Sequence, residues 1–398
     1  MISTTPTTGR DITYRGFRFP DSLDSGVAEG LEPSGRSLVL AEPAGLVDRT
    51  GPDGRLRRHV AGRWTSAPVE AGFAVREVVP SWTADTPGDS WLRVEARGWG
   101  DDGAATGWYV LADWAAADHA VRRTSVPGQR DGVARVDTDT LVLAGAAVTG
   151  WQLRVTLLRP EDATDGPLLH TVGAVASGTH PGPTGPTPGP AGAPVAWGTV
   201  LDVPRYSQRL HAGVQGWGGG GDSWCSPTCI SMVLAYWGAV PPGDRYAWVD
   251  PPGPRPVVVH AARHCFDHAY GGAGNWPFNT AYAGLHGVDA FVTRLRSLAE
   301  AEAFVAAGIP LVVSAAFRAG QVPGLDYDTA GHLMVLVGFT STGDPVLNDP
   351  YAPDDDGVRR TVPRGPFEAA WQAGSGGVAY VLRPPGFPLP PPPAQPNW

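Results

Sequence analysis

Three residues far apart in the 398-residue chain could together perform one chemistry: Cys225, His332 and Asp349. A thiol becomes a strong nucleophile as its thiolate. An imidazole that takes its proton can later return it to a leaving amine, provided a carboxylate holds the ring. Cys225 stands where a glycine run, Gly218-Gly219-Gly220-Gly221, gives way to Asp222-Ser223-Trp224-Cys225-Ser226-Pro227-Thr228-Cys229. Apolar residues at helical spacing follow, with Ile230, Val233, Leu234 and Trp237 on one face. The spacing predicts a helix with Ser226 as N-cap, Pro227 at the first helical position and Gly238 at its close. Cys225 then sits on the lip of a helix N-terminus, where the macrodipole and unpaired backbone N–H groups favour a thiolate. The plain alternative is a buried structural cysteine.

The other two groups come from a pair of strand-like runs. Gly331-His332-Leu333-Met334-Val335-Leu336-Val337-Gly338-Phe339 and Asp344-Pro345-Val346-Leu347-Asn348-Asp349-Pro350 flank the turn Thr340-Ser341-Thr342-Gly343. A turn centred near Thr342 folds the second run antiparallel onto the first. His332, at the start of one strand, then lies beside Asp349, at the end of the other. In chain order the groups run Cys, His, Asp, which is the content of a thiol hydrolase.

Residues 197–385, which carry these groups, read as an α+β domain. The Cys225 helix is followed by a helical region from about 257 to 270, a loop over 271–279 and a helix over 280–285. A strand near 289–295, an amphipathic helix over 297–307 and a buried strand over 310–315 complete it. Residues 11–176 instead carry short β segments punctuated by Gly, Pro and Asp, notably 37–40, 72–79, 90–97, 106–112 and 151–159. Leu92, Val94 and Ala96 alternate with Trp91, Arg93, Glu95 and Arg97, the mark of a sheet with one wet face, and the density of such segments predicts a β-sandwich or jelly-roll. Residues 177–196 are rich in Pro and Gly and cannot bury a core, so they are expected to be an extended linker between two independently folding units. The Pro-rich tail, 386–398, is expected to project from the fold.

Composition bounds the function. Hydrophobic residues make up 42% of the chain, which is globular material. All 30 basic residues are arginine, the net charge is −9 and no basic patch stands out, which argues against a nucleic-acid partner. No apolar run of about 18 residues suggests a transmembrane segment. The segment Met1-Ile2-Ser3-Thr4-Thr5-Pro6 lacks the basic head and apolar core of a secretory signal, so a cytoplasmic location is the default, with export if translation starts further upstream. Cys225, Cys229 and Cys265 are too few for a disulfide framework or a zinc cluster, and Cys229, one turn after Cys225, is expected in the core. His260, His264 and His268 at i, i+4 and i+8 would share a helix face with Cys265 and Asp267 adjacent. Three rings one turn apart span roughly 12 Å, so only neighbours could share an ion and a packed or exposed stripe is expected rather than a metal site.

Residues from about 200 to 383 resemble the C39-like peptidase family, papain-like cysteine peptidases related to the bacteriocin-processing enzymes. The likeness lies in Val203-Pro204-Arg205-Tyr206-Ser207-Gln208, in Trp224-Cys225-Ser226-Pro227-Thr228, in Gly274-Asn275-Trp276-Pro277-Phe278-Asn279, in Gly331-His332-Leu333 and in Asn348-Asp349-Pro350. It covers slightly under half of the chain. The resemblance implies a papain-like domain that hydrolyses peptide or protein substrates without metal or cofactor. It makes Cys225 the nucleophile, His332 the base, Asp349 the orienter and Gln208 a side-chain oxyanion donor beside the Cys225 N–H. Ser226 stands where the family often has glycine, and the 17 positions between Gln208 and Cys225 leave Gln215 as a rival donor. Two other readings remain. One is an idle papain-like domain serving with the β-domain as a cell-wall or partner binding module. In that case Trp82, Trp91, Trp99 and Trp108 could stack on carbohydrate or peptide, although tryptophan more often fills a core. The other is an amidase or acyl transferase using the same three groups.

Overall fold

In the computed structural model, which describes residues 10–144, 148–179, 195–250 and 253–398, the alternation at 91–97 belongs to the strand Trp91–Gly100, with Leu92, Val94 and Ala96 buried. Two seven-stranded antiparallel sheets press such faces together into a β-sandwich, whose core includes Trp64, Trp114, Trp151, Leu153 and Val172. The outer face of the second sheet is drier than alternation predicts. Trp91 and Glu95 are buried there beneath Arg49, which stacks 4.5 Å over Trp91, and the Arg154–Glu95 pair at 2.6 Å. Trp82 is core as well. Trp99 and Trp108 are half-buried, and Trp108 lies between the guanidiniums of Arg97 and Arg154 at 4.5 and 4.4 Å.

The C-terminal half is α+β. Its six-stranded antiparallel sheet runs Asp289–Arg294, Val378–Arg383, Leu311–Phe317, Thr329–Phe339, Pro345–Asn348, Arg359–Thr361. Side chains alternate between two apolar layers. Val312, Val335, Val337, Tyr380 and Leu382 face α1 (Cys225–Tyr236), α2 (Pro256–Cys265) and α3 (Trp276–Gly284). Leu311, Val313, Met334, Leu336 and Val381 face α4 (Leu298–Ala306) and α5 (Arg364–Ser375). A sheet covered on both faces needs apolar residues at every position, which is why 333–337 reads as one unbroken apolar run.

Local chemistry moves several boundaries from where sequence spacing put them. α2 stops at Cys265, so His268 leaves the face shared by His260 and His264, and its backbone N–H donates to Arg123 O at 3.0 Å. α3 begins at Trp276 rather than Thr280, because the Asn275 side chain accepts the Phe278 N–H at 3.1 Å and Pro277 fits a first turn. The tail folds back instead of projecting. Tyr14 N–H donates to Pro396 O at 3.0 Å, the Asn397 amide donates to Arg294 O at 2.7 Å, and the Trp398 ring packs on Phe304 at 4.9 Å. Proline excludes helix and ladder from this tail, and one buried amide and one indole anchor it without either. Of the predicted linker, 180–194 lie outside the described residues; Ser177 ends the strand Leu168–Ser177, and Ala196 is buried.

The two halves share apolar packing. Ile12, Val79 and Val175 of the sandwich join the cluster around α1, while Phe278 and Ala281 of α3 join the sandwich cluster, with Phe278 6.1 Å from Trp82. α3 seats directly on the strand Glu77–Asp85. A β-carbon on Gly284 would come within 2.7 Å of the Thr83 side chain, so the close approach requires glycine.

Candidate active site

Cys225 is itself the first residue of α1, two positions earlier than the capping pattern suggests. Trp224 takes the N-cap position without a side-chain cap, and Ser226 turns inward to meet the Tyr380 hydroxyl at 3.1 Å. Pro227 is still tolerated because the N–H groups of a first turn have no intrahelical acceptor. At the other end Gly238 lies at φ 66 and its N–H meets Ala235 O, while the Ala239 N–H reaches Leu234 O at 2.8 Å. This is a Schellman close. The helix is buried along most of its length, and Cys225 remains partly exposed at its mouth.

His332 lies at the edge of the buried part of the strand Thr329–Phe339 and hydrogen-bonds the Cys225 thiol. Its Nε2 meets Asp349 Oδ1 at 2.8 Å, which leaves the other ring nitrogen for sulfur. The strand pairing follows the anticipated turn, with a bulge between Leu336 and Gly338 shifting the register by one residue. Asp349 is fully buried and fully occupied. Besides the ring it accepts the Tyr327 hydroxyl at 3.1 Å and the Tyr351 N–H at 2.9 Å, with Arg360 3.5 Å away. Burial alone would raise the Cys225 pKa, but the bond to His332 and its charge outweigh it and hold the thiol below its ordinary value. Burial opposes charge on His332 too, yet the bonds to Asp349 and Cys225 push it up to about 10. Both shifts favour a thiolate–imidazolium pair. Burial raises Cys229 well above a free thiol, and its Sγ donates to Leu333 O at 3.3 Å, a core role.

Gln208 is 1% exposed. Its Nε2 donates to Gly221 O at 2.7 Å and its backbone N–H donates to Pro350 O at 2.9 Å. Asn348 reinforces that strap, donating to Pro204 O at 3.0 Å while accepting from Arg359 Nε at 2.8 Å. The run Asn348-Asp349-Pro350 therefore fixes both the His332 ring and the segment that carries Gln208. Gln215 is exposed on its glycine-rich loop whereas Gln208 is buried, and neither is among the residues that line the cleft.

Cys225 and His332 open into a cleft of about 780 Å³. One wall is the loop from Tyr270 to Trp276, organised by Asp267, which is fully buried and accepts the N–H groups of Ala269 and Tyr270 and the Asn275 amide at 3.0, 3.2 and 2.9 Å. Sequence reasoning missed Tyr327 and Asp267. The Tyr327 partner lies 22 residues away; Asp267 reads in the sequence only as a neighbour of the histidine stripe, although Ala269 and Tyr270 are within three residues of it and only its bond from Ser125, 142 residues away, is beyond a local pattern. His260 and His264 stack at 4.0 Å away from this cleft, and burial lowers them to about 3 and about 4. Among the described residues no three His, Cys, Asp or Glu side chains are grouped to hold a metal ion, and no helix is long and apolar enough to cross a membrane.

Residues 200–378 match the model of the Peptidase_C39 like family, and residues 13–177 match that of the Peptidase C39 N-terminal domain. No curated protein matches the chain. Among solved structures, the CBM22-1-GH10 modules of Clostridium thermocellum endo-1,4-beta-D-xylanase 10B are 12% identical, with 52% of this chain and 34% of that one covered, at a TM-score of 0.19. A structure of carbohydrate-binding modules from the beta-sandwich super family is 11% identical, with coverages of 44% and 58% and a TM-score of 0.16. This chain thus spans less than two thirds of either, and the ligands named for those proteins belong to them.

Proposed function

With residues 200–378 belonging to the Peptidase_C39 like family, we propose that the chain hydrolyses peptide bonds with Cys225 as nucleophile, His332 as general base and acid, and Asp349 as the carboxylate that holds the ring. The thiolate attacks the carbonyl carbon, a C–S bond forms, and the carbonyl electron pair moves onto oxygen. That oxyanion is met by the Cys225 backbone N–H at the helix start and by Gln208, whose Nε2 has a second hydrogen beyond the one donated to Gly221 O. Collapse breaks the C–N bond, His332 protonates the departing amine, and a thioester remains. Water then gives a proton to His332 and attacks the thioester, releasing the acid and restoring the thiolate–imidazolium pair.

The observation that carries this reading is that Cys225 and His332 line one open cleft, with His332 held by Asp349 at 2.8 Å and the imidazole lowering the thiol pKa. Digestion of a proteome-derived peptide library should give cleavages with the wild type that disappear in Cys225→Ala. A library left intact by both proteins would overturn the proposal. On a cleaved peptide, Gln208→Ala should lower turnover by about 100- to 1,000-fold while Gln215→Ala changes it little; the reverse ranking would move the donor role to Gln215.

A further inference from the structure

The cleft is not built by the peptidase domain alone. Asp137, Thr138, Asp139 and Thr140 line it, and they form the turn between the strands Ala134–Asp137 and Thr140–Leu143 of the N-terminal sandwich. Two ties hold the sandwich against the opposite wall. Asp139, 8% exposed, accepts the Trp276 N–H at 2.8 Å and so satisfies an orphan donor in the first turn of α3. The Ser125 N–H donates to Asp267 at 3.0 Å, reaching the residue that organises the Tyr270–Trp276 loop. Behind the turn, Leu141 and Val142 pair with the strand Glu77–Asp85, which carries α3 on its other face. The turn is therefore tied to the Tyr270–Trp276 wall by the Asp139 and Asp267 carboxylates and to the strand Glu77–Asp85 by strand pairing, rather than resting near them.

The charge in the cleft is one-sided. Besides the turn's two carboxylates, Asp222 and Asp328 line it, and no arginine is among the described residues that do. Three of the four have guanidinium partners outside the cleft lining: Arg135 at 2.8 Å from Asp137, Arg209 at 3.5 Å from Asp222 and Arg318 at 3.2 Å from Asp328. Among the described residues Asp139 has no guanidinium partner; it accepts from the Trp276 N–H and the Thr140 hydroxyl, and burial raises its carboxyl to about 6. Aromatic residues line the same cleft, Tyr270, which is 56% exposed, and Trp276, whose N–H Asp139 accepts. Carboxylates beside aromatic faces suit a long cationic side chain, whose stem packs on the rings and whose head meets the charge.

We propose that the 137–140 turn of the N-terminal domain is a substrate-binding wall of the peptidase and selects peptides with a cationic side chain near the scissile bond. This rests on Cys225 being the nucleophile. The test therefore uses probes that report nucleophile and wall separately: tripeptidyl chloromethyl ketones carrying arginine or its neutral isostere citrulline at each position in turn. The Cys225 thiolate displaces chloride from such a probe, forming a C–S bond, and the rate at Cys225 is read by mass spectrometry on the full chain. At one position or more the arginine probe should label Cys225 faster than the citrulline probe. Asp139→Asn and Asp137→Asn should each reduce that ratio by about three- to tenfold, with labelling by uncharged iodoacetamide unchanged. Asn at 139 can still accept the Trp276 N–H. The Asp137 side chain is 54% exposed, so its variant decides the matter should the first disturb folding. Equal rates for arginine and citrulline at every position, or a ratio unchanged in both variants, would overturn the wall and leave the nucleophile standing. Iodoacetamide labelling no faster at Cys225 than at Cys229 and Cys265 would instead overturn the nucleophile and this inference with it.

Discussion

Cys225 and His332 are shifted in opposite directions, the thiol below its ordinary value and the imidazole above its own, and both shifts favour the thiolate–imidazolium pair. His332 holds its proton up to about 10 in place of 6.5. Its contribution to stability is fully present below the unfolded value and is lost as pH rises through about 10. Cys225, depressed below 9.0, contributes above that unfolded value and loses the contribution as pH falls through its lower folded value. The reactive pair therefore exists between the depressed thiol value and about 10, and kcat/KM should be bell-shaped across that window. Asp349→Asn removes the carboxylate whose bond raises His332. The alkaline limb should then move to lower pH and turnover should fall by about 100-fold or more. A pH profile identical to the wild type on the same peptide would remove Asp349 from the orienting role. Cys225, His332 and Asp349 were legible because each stands in a local pattern; Tyr327, which occupies the second Asp349 oxygen, was not, because only the folded chain brings its hydroxyl there.

At the scale of elements, the docking of α3 links the two halves. The helix begins at Trp276 on the cleft and ends at Gly284 against Thr83. Gly284→Ala places a methyl 2.7 Å from the Thr83 side chain, which must shift or push the helix away. Overpacking of this kind costs about 1–3 kcal/mol, so thermal unfolding should move to lower temperature. The double variant with Thr83→Ser, which removes the methyl group, should recover part of the loss; no recovery would place the strain elsewhere. Sequence periodicity found four of the six strands of the buried sheet, since a run such as Leu333 to Val337 admits little else, but it did not find Arg359–Thr361, Val378–Arg383 or the helix Arg364–Ser375. Helix ends were less legible. They turned on single side-chain hydrogen bonds, such as Asn275 to the Phe278 N–H, or on none, as at Trp224.

For the whole molecule, the shared packing bears on how a cut chain behaves. Phe278 and Ala281 lie in the sandwich cluster and Val79 and Val175 in the cluster around α1, so parting the halves would expose buried apolar surface on both. Limited proteolysis within 180–194 is therefore expected to leave two fragments that co-elute in size-exclusion chromatography. Isolated 197–385 should bind a hydrophobic dye that the intact chain does not. Separate elution of two dye-silent fragments would show that the contact contributes little.

The sequence by itself determined most of the elements and the positions of Cys225, His332 and Asp349 on them. Apolar period sets which face of a strand or helix must be buried, and the Cys225, His332 and Asp349 patterns each lie within about ten residues of the turn or helix start that positions them. Only the tertiary structure decided what those elements meet. The Asp139 bond to Trp276 spans 137 residues and the Ser125 bond to Asp267 spans 142, distances over which no local pattern carries information. A Pro-rich tail read as projecting is held by Asn397 and Trp398, whose partners Arg294 and Phe304 lie about a hundred residues earlier. Propensity and period are properties of short windows, whereas a cleft wall shared by two domains exists only once their surfaces are packed together.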